Sequence, residues 1–81
     1  MNRDEAQGWL VQVLLDKVRN DPYPSATQLQ IIEEALPQQM VPDYLQVLME
    51  KAAADEFPSI PLLRRIGRVA ETLPKAQQQR R

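Results

Sequence analysis

The sequence predicts an all-α fold, a compact four-helix domain built from two tandem helix-loop-helix repeats. Apolar residues recur at three- and four-residue steps along four segments. A proline-containing loop separates the two segments of each pair, and the chain matches itself at an offset of 34 residues. The 81 residues correspond to one domain. We assign 1–74 to this domain, with repeats at about 4–36 and 41–73, and 75–81 to a flexible basic tail.

The offset of 34 residues aligns positions 12–32 with positions 46–66, and nine of these 21 positions are identical. The identical pairs are Gln12/Gln46, Val13/Val47, Leu14/Leu48, Lys17/Lys51, Asp21/Asp55, Pro24/Pro58, Ser25/Ser59, Leu29/Leu63 and Ile32/Ile66. Tetratricopeptide repeats have the same period, but their tryptophan, Leu-Gly and alanine signature is missing here. We therefore predict a duplicated unit and do not assign the chain to that family.

The first repeat begins with an amphipathic helix from about Asp4 to Asn20. Its predicted buried stripe comprises Trp9, Leu10, Val13, Leu14 and Val18, widened by Val11 and Leu15. The prolines of the following loop end this helix. Ser25 then starts the second helix, with Gln28 three residues later completing a capping box. The stripe predicted for that helix is Leu29, Ile32, Ala35 and Leu36.

The second repeat starts after Pro37, with Pro42 in the first turn of the third helix, where a missing N–H leaves no donor unpaired. Ser59 caps the fourth helix, and Pro74 is expected to close it. The third helix is predicted to bury Tyr44, Leu45, Leu48, Met49 and Ala52. The fourth is predicted to bury Leu62, Leu63, Ile66, Val69, Ala70 and Leu73.

Composition argues against an enzyme. The chain has no cysteine and no histidine, which removes disulfides, thiolate nucleophiles and the commonest metal ligand. Adjacent carboxylates such as Glu33 and Glu34 point about 100° apart on a helix and do not converge. Gly8 and Gly67 lie in helical patterns and not in a phosphate-binding loop, although Gly67 is expected to permit a close helix crossing. We predict no catalytic residues, no cofactor and no metal site.

Location is predicted from what the chain lacks. Its first residues carry Asp4 and Glu5 and do not resemble a signal peptide. Apolar runs are only a few residues long, too short to span a membrane. We therefore expect a cytoplasmic protein that does not bind membranes.

The repeated loop Asp-x-aromatic-Pro-Ser allows two interpretations. Tyr23 and Phe57 either fill the open ends of their helix pairs or form two related recognition sites. Proline and serine in the loop have clear structural roles in setting the chain direction and capping the next helix, which favours the first interpretation. Trp9 is similarly ambiguous, since we expect it in the core but a lone tryptophan is also typical of a binding hot spot.

Positive charge is concentrated near the C-terminus, where residues 60–81 contain six basic residues against one acidic residue. Arg64, Arg65 and Arg68 lie within about one turn of the fourth helix. They form either an ordinary solvated face, partly neutralised by Glu71 or a neighbouring chain, or an anion-binding face.

These observations favour a small, non-catalytic protein-interaction module, an adaptor or assembly protein, with a second copy of the chain as one candidate partner. The alternative is a nucleic-acid-binding module that uses the basic fourth helix and tail. The predicted partner-binding residues are Arg64, Arg65, Arg68, Trp9, Tyr23 and Phe57.

Overall fold

The fold was analysed in a computed structural model, which describes residues 1–74. Four α-helices follow one another: α1 (Arg3–Arg19), α2 (Ala26–Ala35), α3 (Val41–Ala54) and α4 (Ile60–Ala70). A short 3-10 helix, Gln38–Met40, leads into α3, and no strand occurs within these 74 residues. The predicted all-α, four-helix class is confirmed. The proposed tail at 75–81 lies outside the described residues.

Helix starts follow the predicted capping signals. Ser25 accepts a hydrogen bond from the amide of Gln28, and the Gln28 side chain accepts one from the Ser25 amide, so the predicted capping box is present. Ser59 likewise accepts a hydrogen bond from the amide of Leu62. Pro42 lies in the first turn of α3, as expected. Local sequence thus fixes where each of these helices begins.

The end of α4 differs from the prediction. We expected the helix to continue to Pro74, but it ends at Ala70. The Glu71 amide bonds to the carbonyls of both Gly67 and Arg68, and the Thr72 hydroxyl donates to the Val69 carbonyl at 2.7 Å. These contacts tighten the last turn and stop the helix before proline is reached.

Helices α1 and α2 pack as one antiparallel pair and α3 and α4 as a second, while α1 also packs against α3. One compact core joins the two pairs. Its buried members are Val11, Leu15, Val18, Leu29, Ile32, Val41, Tyr44, Leu45, Val47, Leu48 and Val69. The core therefore lies mainly between α1, α2 and α3, with α4 contributing a single fully buried residue.

Four predicted core positions are wrong. Trp9 is 67% exposed, because it lies about 200° around the helix from Val11, on the side opposite the buried stripe. Met49, Leu63 and Ala70 are also exposed, on the side of the second helix pair that no later helix covers. Helical spacing identifies an apolar stripe, but the neighbouring elements decide which part of it is buried.

Gly67 does not permit a close helix crossing, contrary to expectation. A Cβ atom placed there would meet no atom within 4 Å, so this position faces open space. The surface around Gly67 is thus a shallow one without side-chain bulk. Among residues 1–74, none of the helices has the length and apolar character needed to cross a membrane.

Candidate functional site

Two loops of the same construction lie at one end of the helix pairs. In the first loop, the carboxylate of Asp21 accepts a hydrogen bond from the Tyr23 amide at 2.9 Å. In the second, the carboxylate of Asp55 accepts one from the Phe57 amide at 3.0 Å. These are turns closed by an aspartate side chain on the backbone two residues later. Each loop is therefore locally rigid before any tertiary contact is considered.

The aromatic side chains of these loops point into solvent. Tyr23 is 83% exposed and Phe57 is 81% exposed, so the expectation that they fill the ends of the helix pairs is wrong. Pro24 and Pro58 are half-buried and occupy the inner side of the loops. Because the short turn and the serine cap bring the helices together, there is no open end for a ring to fill.

A groove of about 860 Å³ lies between the two loops. Its apolar lining includes Leu29 of α2, Val47 and Leu48 of α3, and Leu62 of α4. Tyr23 and Phe57 line the same groove, one from each loop. An apolar depression flanked by two exposed rings is the geometry in which a partner's side chains lose contact with water.

Comparison with models of protein families, with curated proteins and with solved structures finds no match to this chain. Function must therefore be argued from the surface itself.

Lys51 joins the two helix pairs beneath the groove. Its ammonium group donates to the carbonyl of Arg19 at 2.8 Å and to the carbonyl of Asp21 at 2.7 Å. These carbonyls belong to the end of α1 and the following loop, where helical geometry leaves acceptors without partners. A cation near a helix C-terminus also interacts favourably with the helix dipole. Lys51 therefore holds the first loop in position relative to α3.

A second polar connection lies between α2, α3 and α4. One oxygen of Glu33 accepts a hydrogen bond from the Tyr44 hydroxyl at 2.5 Å and from the Arg65 guanidinium at 2.6 Å. Burial, followed by the neighbouring Glu33 carboxylate, raises the pKa of Tyr44 well above its ordinary value. The phenol therefore keeps its proton and remains a donor to Glu33.

This connection divides the predicted arginine cluster. Arg65 is partly buried, lines the groove and is bound to Glu33, whereas Arg64 and Arg68 are exposed. Arg68 instead borders a shallower depression of about 270 Å³, together with Gln30 and Glu34. The charge partner of Arg65 is Glu33 and not Glu71, which we had suggested. The three guanidinium groups do not act as one equivalent set.

Trp9 stands apart from the groove on the exposed side of α1. Within residues 1–74, no three acidic side chains are grouped so that they could hold a metal ion. Of the predicted site residues, Tyr23, Phe57 and Arg65 therefore line one groove, while Trp9, Arg64 and Arg68 lie outside its lining. Sequence reasoning missed Lys51, although its identity with Lys17 at the 34-residue offset was a usable signal.

Proposed function

We propose that this protein is a small, non-catalytic interaction module that binds a segment of another protein in the groove between Tyr23 and Phe57. The main support is the exposure of both rings on the rims of one apolar groove. Large exposed aromatic side chains are costly to leave in water and are enriched at protein-binding hot spots. The proposed site of action is the cytoplasm.

The proposal includes a duplicated origin for the two helix pairs. The two loops share an aspartate-closed turn and a serine cap in addition to their sequence identities. Duplication would place the two rings at corresponding positions, as two related contacts for one extended ligand. Groove residues buried below the rings would contact the apolar side chains of that ligand.

Peptide selection tests this proposal. A random peptide library displayed on phage would be selected on the wild-type protein, and enriched peptides would be titrated against wild type and Tyr23→Ala/Phe57→Ala. We expect peptides whose affinity falls at least about tenfold in the double variant, as for hot-spot truncation. Trp9→Ala is a matched control, since it removes another exposed aromatic residue that lies outside the groove.

Two results would contradict the proposal. Selection could enrich no peptide that binds the wild-type protein, or the enriched peptides could bind the double variant as tightly as wild type. If only Trp9→Ala weakened binding, the interaction surface would be the exposed side of α1 instead of the groove.

Nucleic-acid binding is the second candidate, supported by the exposed guanidinium groups of Arg64 and Arg68. The involvement of Arg65 with Glu33 reduces this support, because one of three cations is already paired. Fluorescence anisotropy of labelled duplex DNA and single-stranded RNA, at low and near-physiological salt, separates the two candidates. Salt-sensitive binding that disappears in Arg64→Glu/Arg68→Glu would favour nucleic acid, while Arg65 is kept to preserve the ion pair. No binding at low salt would exclude it.

A further inference from the structure

The contacts between the two helix pairs have counterparts that remain unused at the two ends of the molecule. Lys51 of α3 donates to two carbonyls at the end of α1. Lys17 occupies the corresponding position on α1, 34 residues earlier. It is exposed and donates no hydrogen bond to any residue within 1–74. The first helix pair thus presents a lysine of the kind that joins the second pair to it.

Matching acceptors are found after α3. The carbonyls that Lys51 binds are those of Arg19 and Asp21, and the same offset leads to Ala53 and Asp55. Among the described residues, no donor reaches either of these two carbonyls. A donor without an acceptor and two acceptors without a donor therefore stand on opposite ends of the stack of helix pairs.

An apolar surface accompanies the acceptors. We call it the tail face, and it comprises Met49, Ile60 and Leu63. Met49 is 55% exposed and Leu63 is 43% exposed, whereas the corresponding Leu15 and Leu29 in the first pair are 1% and 5% exposed. The first pair is followed by another helix pair and the second is not. The tail face is therefore the surface that the next pair would cover.

The opposite end carries the complementary surface. We call it the head face, and it comprises Leu10, Val13 and Ile31. The corresponding positions in the second pair, Tyr44, Val47 and Arg65, are the ones turned toward the first pair. Leu10 and Val13 are only half-buried, and Ile31 is 41% exposed.

Polar contacts between the pairs are replaced by apolar residues at these ends. Inside the chain, Glu33 of the first pair meets Arg65 of the second. Between copies, the same positions would bring Gly67 of one chain to Ile31 of the next. Gly67 faces open space, so a branched side chain can approach without burying an unpaired charge.

We infer that the tail face of one copy binds the head face of a second copy, with Lys17 donating to the Ala53 and Asp55 carbonyls. The contact is heterologous, so copies add in one direction and form open chains or rings. Two helix pairs form a short stack, and stacking copies bury the faces that further repeats would otherwise cover. The segment 75–81 has one apolar residue, Ala76, and cannot replace a partner on this face.

Sedimentation velocity over a concentration series tests the contact. We expect wild type to show masses increasing with concentration beyond the 9.3 kDa of one chain. Ile31→Glu removes the head face and Leu63→Glu removes the tail face, and each variant alone should remain a monomer. An equimolar mixture retains one intact head and one intact tail, so it should form a dimer and stop there. Gln39→Glu, an exposed position between the helix pairs, is the matched charge control.

Lys17→Gln provides a second test that leaves both apolar faces intact. We expect association to weaken by about tenfold, because a hydrogen-bonded charge is lost. A wild-type protein that stays monomeric up to about 1 mM would overturn the inference. Dimers formed equally well by either glutamate variant alone would also overturn it, since that result indicates a two-fold symmetric contact. Tyr23→Ala/Phe57→Ala should assemble normally, so loss of peptide binding and loss of assembly are separate results.

Discussion

Arg65 of α4 and Glu33 of α2 form an ion pair of 2.6 Å across the junction of the two helix pairs. The Glu33 oxygen that bonds to Arg65 also accepts the hydroxyl of Tyr44 from α3. One carboxylate therefore joins three helices. Both members of the ion pair are largely shielded from solvent, so this contact differs from an ordinary surface salt bridge.

Replacing Arg65 should destabilise the protein more than replacing a neighbouring arginine. In Arg65→Ala, the Glu33 carboxylate remains partly buried and retains only the tyrosine as a donor. We expect a loss of about 1–3 kcal/mol in the free energy of unfolding, less than for a fully buried pair. Urea unfolding followed by circular dichroism measures it. Arg68→Ala, at an exposed position, should change it by less than about 0.5 kcal/mol. Equal effects of the two substitutions would contradict a structural role for the pair.

Tyr44 should make stability fall at alkaline pH. Burial and the adjacent Glu33 raise its pKa above the ordinary value of 10.0, so the folded protein keeps a proton that the unfolded chain releases. The stabilising contribution is complete below pH 10 and is lost as the pH rises above that value. Wild type should lose up to about 1.4 kcal/mol more per pH unit than Tyr44→Phe.

Urea unfolding at about pH 9 and about pH 11 measures this difference. Tyr23→Phe, at an exposed tyrosine, is the matched control and should follow wild type. If Tyr44→Phe and wild type lost the same stability over this range, the phenol would not be the group responsible.

Lys51 and Lys17 provide a matched comparison of one residue type at corresponding positions. Lys51→Met removes a cation that satisfies two carbonyls at the end of α1, and should lower the free energy of unfolding by about 1–3 kcal/mol. Lys17→Met should have little effect in dilute solution, where each chain is separate. Chemical unfolding at low protein concentration distinguishes them. A similar loss for both lysines would show that the effect comes from general charge.

Sequence predicted the features that depend on neighbours in the chain. The serine caps, the capping box of Ser25 with Gln28, and the position of Pro42 each need only residues within one turn. The spacing of apolar residues likewise identified four helices, because the period of a helix is a local property.

Long-range contacts were not visible in the sequence. Arg65 and Glu33 are 32 residues apart, and no local pattern indicates which arginine of the cluster would find a buried partner. Lys51 binds backbone carbonyls, which have no sequence signature. Exposure of Tyr23 and Phe57 also could not be inferred, since an aromatic residue in a loop is compatible with either side of the chain.

The exposed rings of the groove should contribute binding and not stability. Tyr23→Ala and Phe57→Ala should each change the free energy of unfolding by less than about 0.5 kcal/mol, because the rings are surrounded by solvent. Tyr44→Ala, at a fully buried aromatic position, should cost about 3–5 kcal/mol. Thermal and urea unfolding of the three variants makes the comparison. A large loss for Tyr23→Ala or Phe57→Ala would mean that these rings fill the ends of the helix pairs after all.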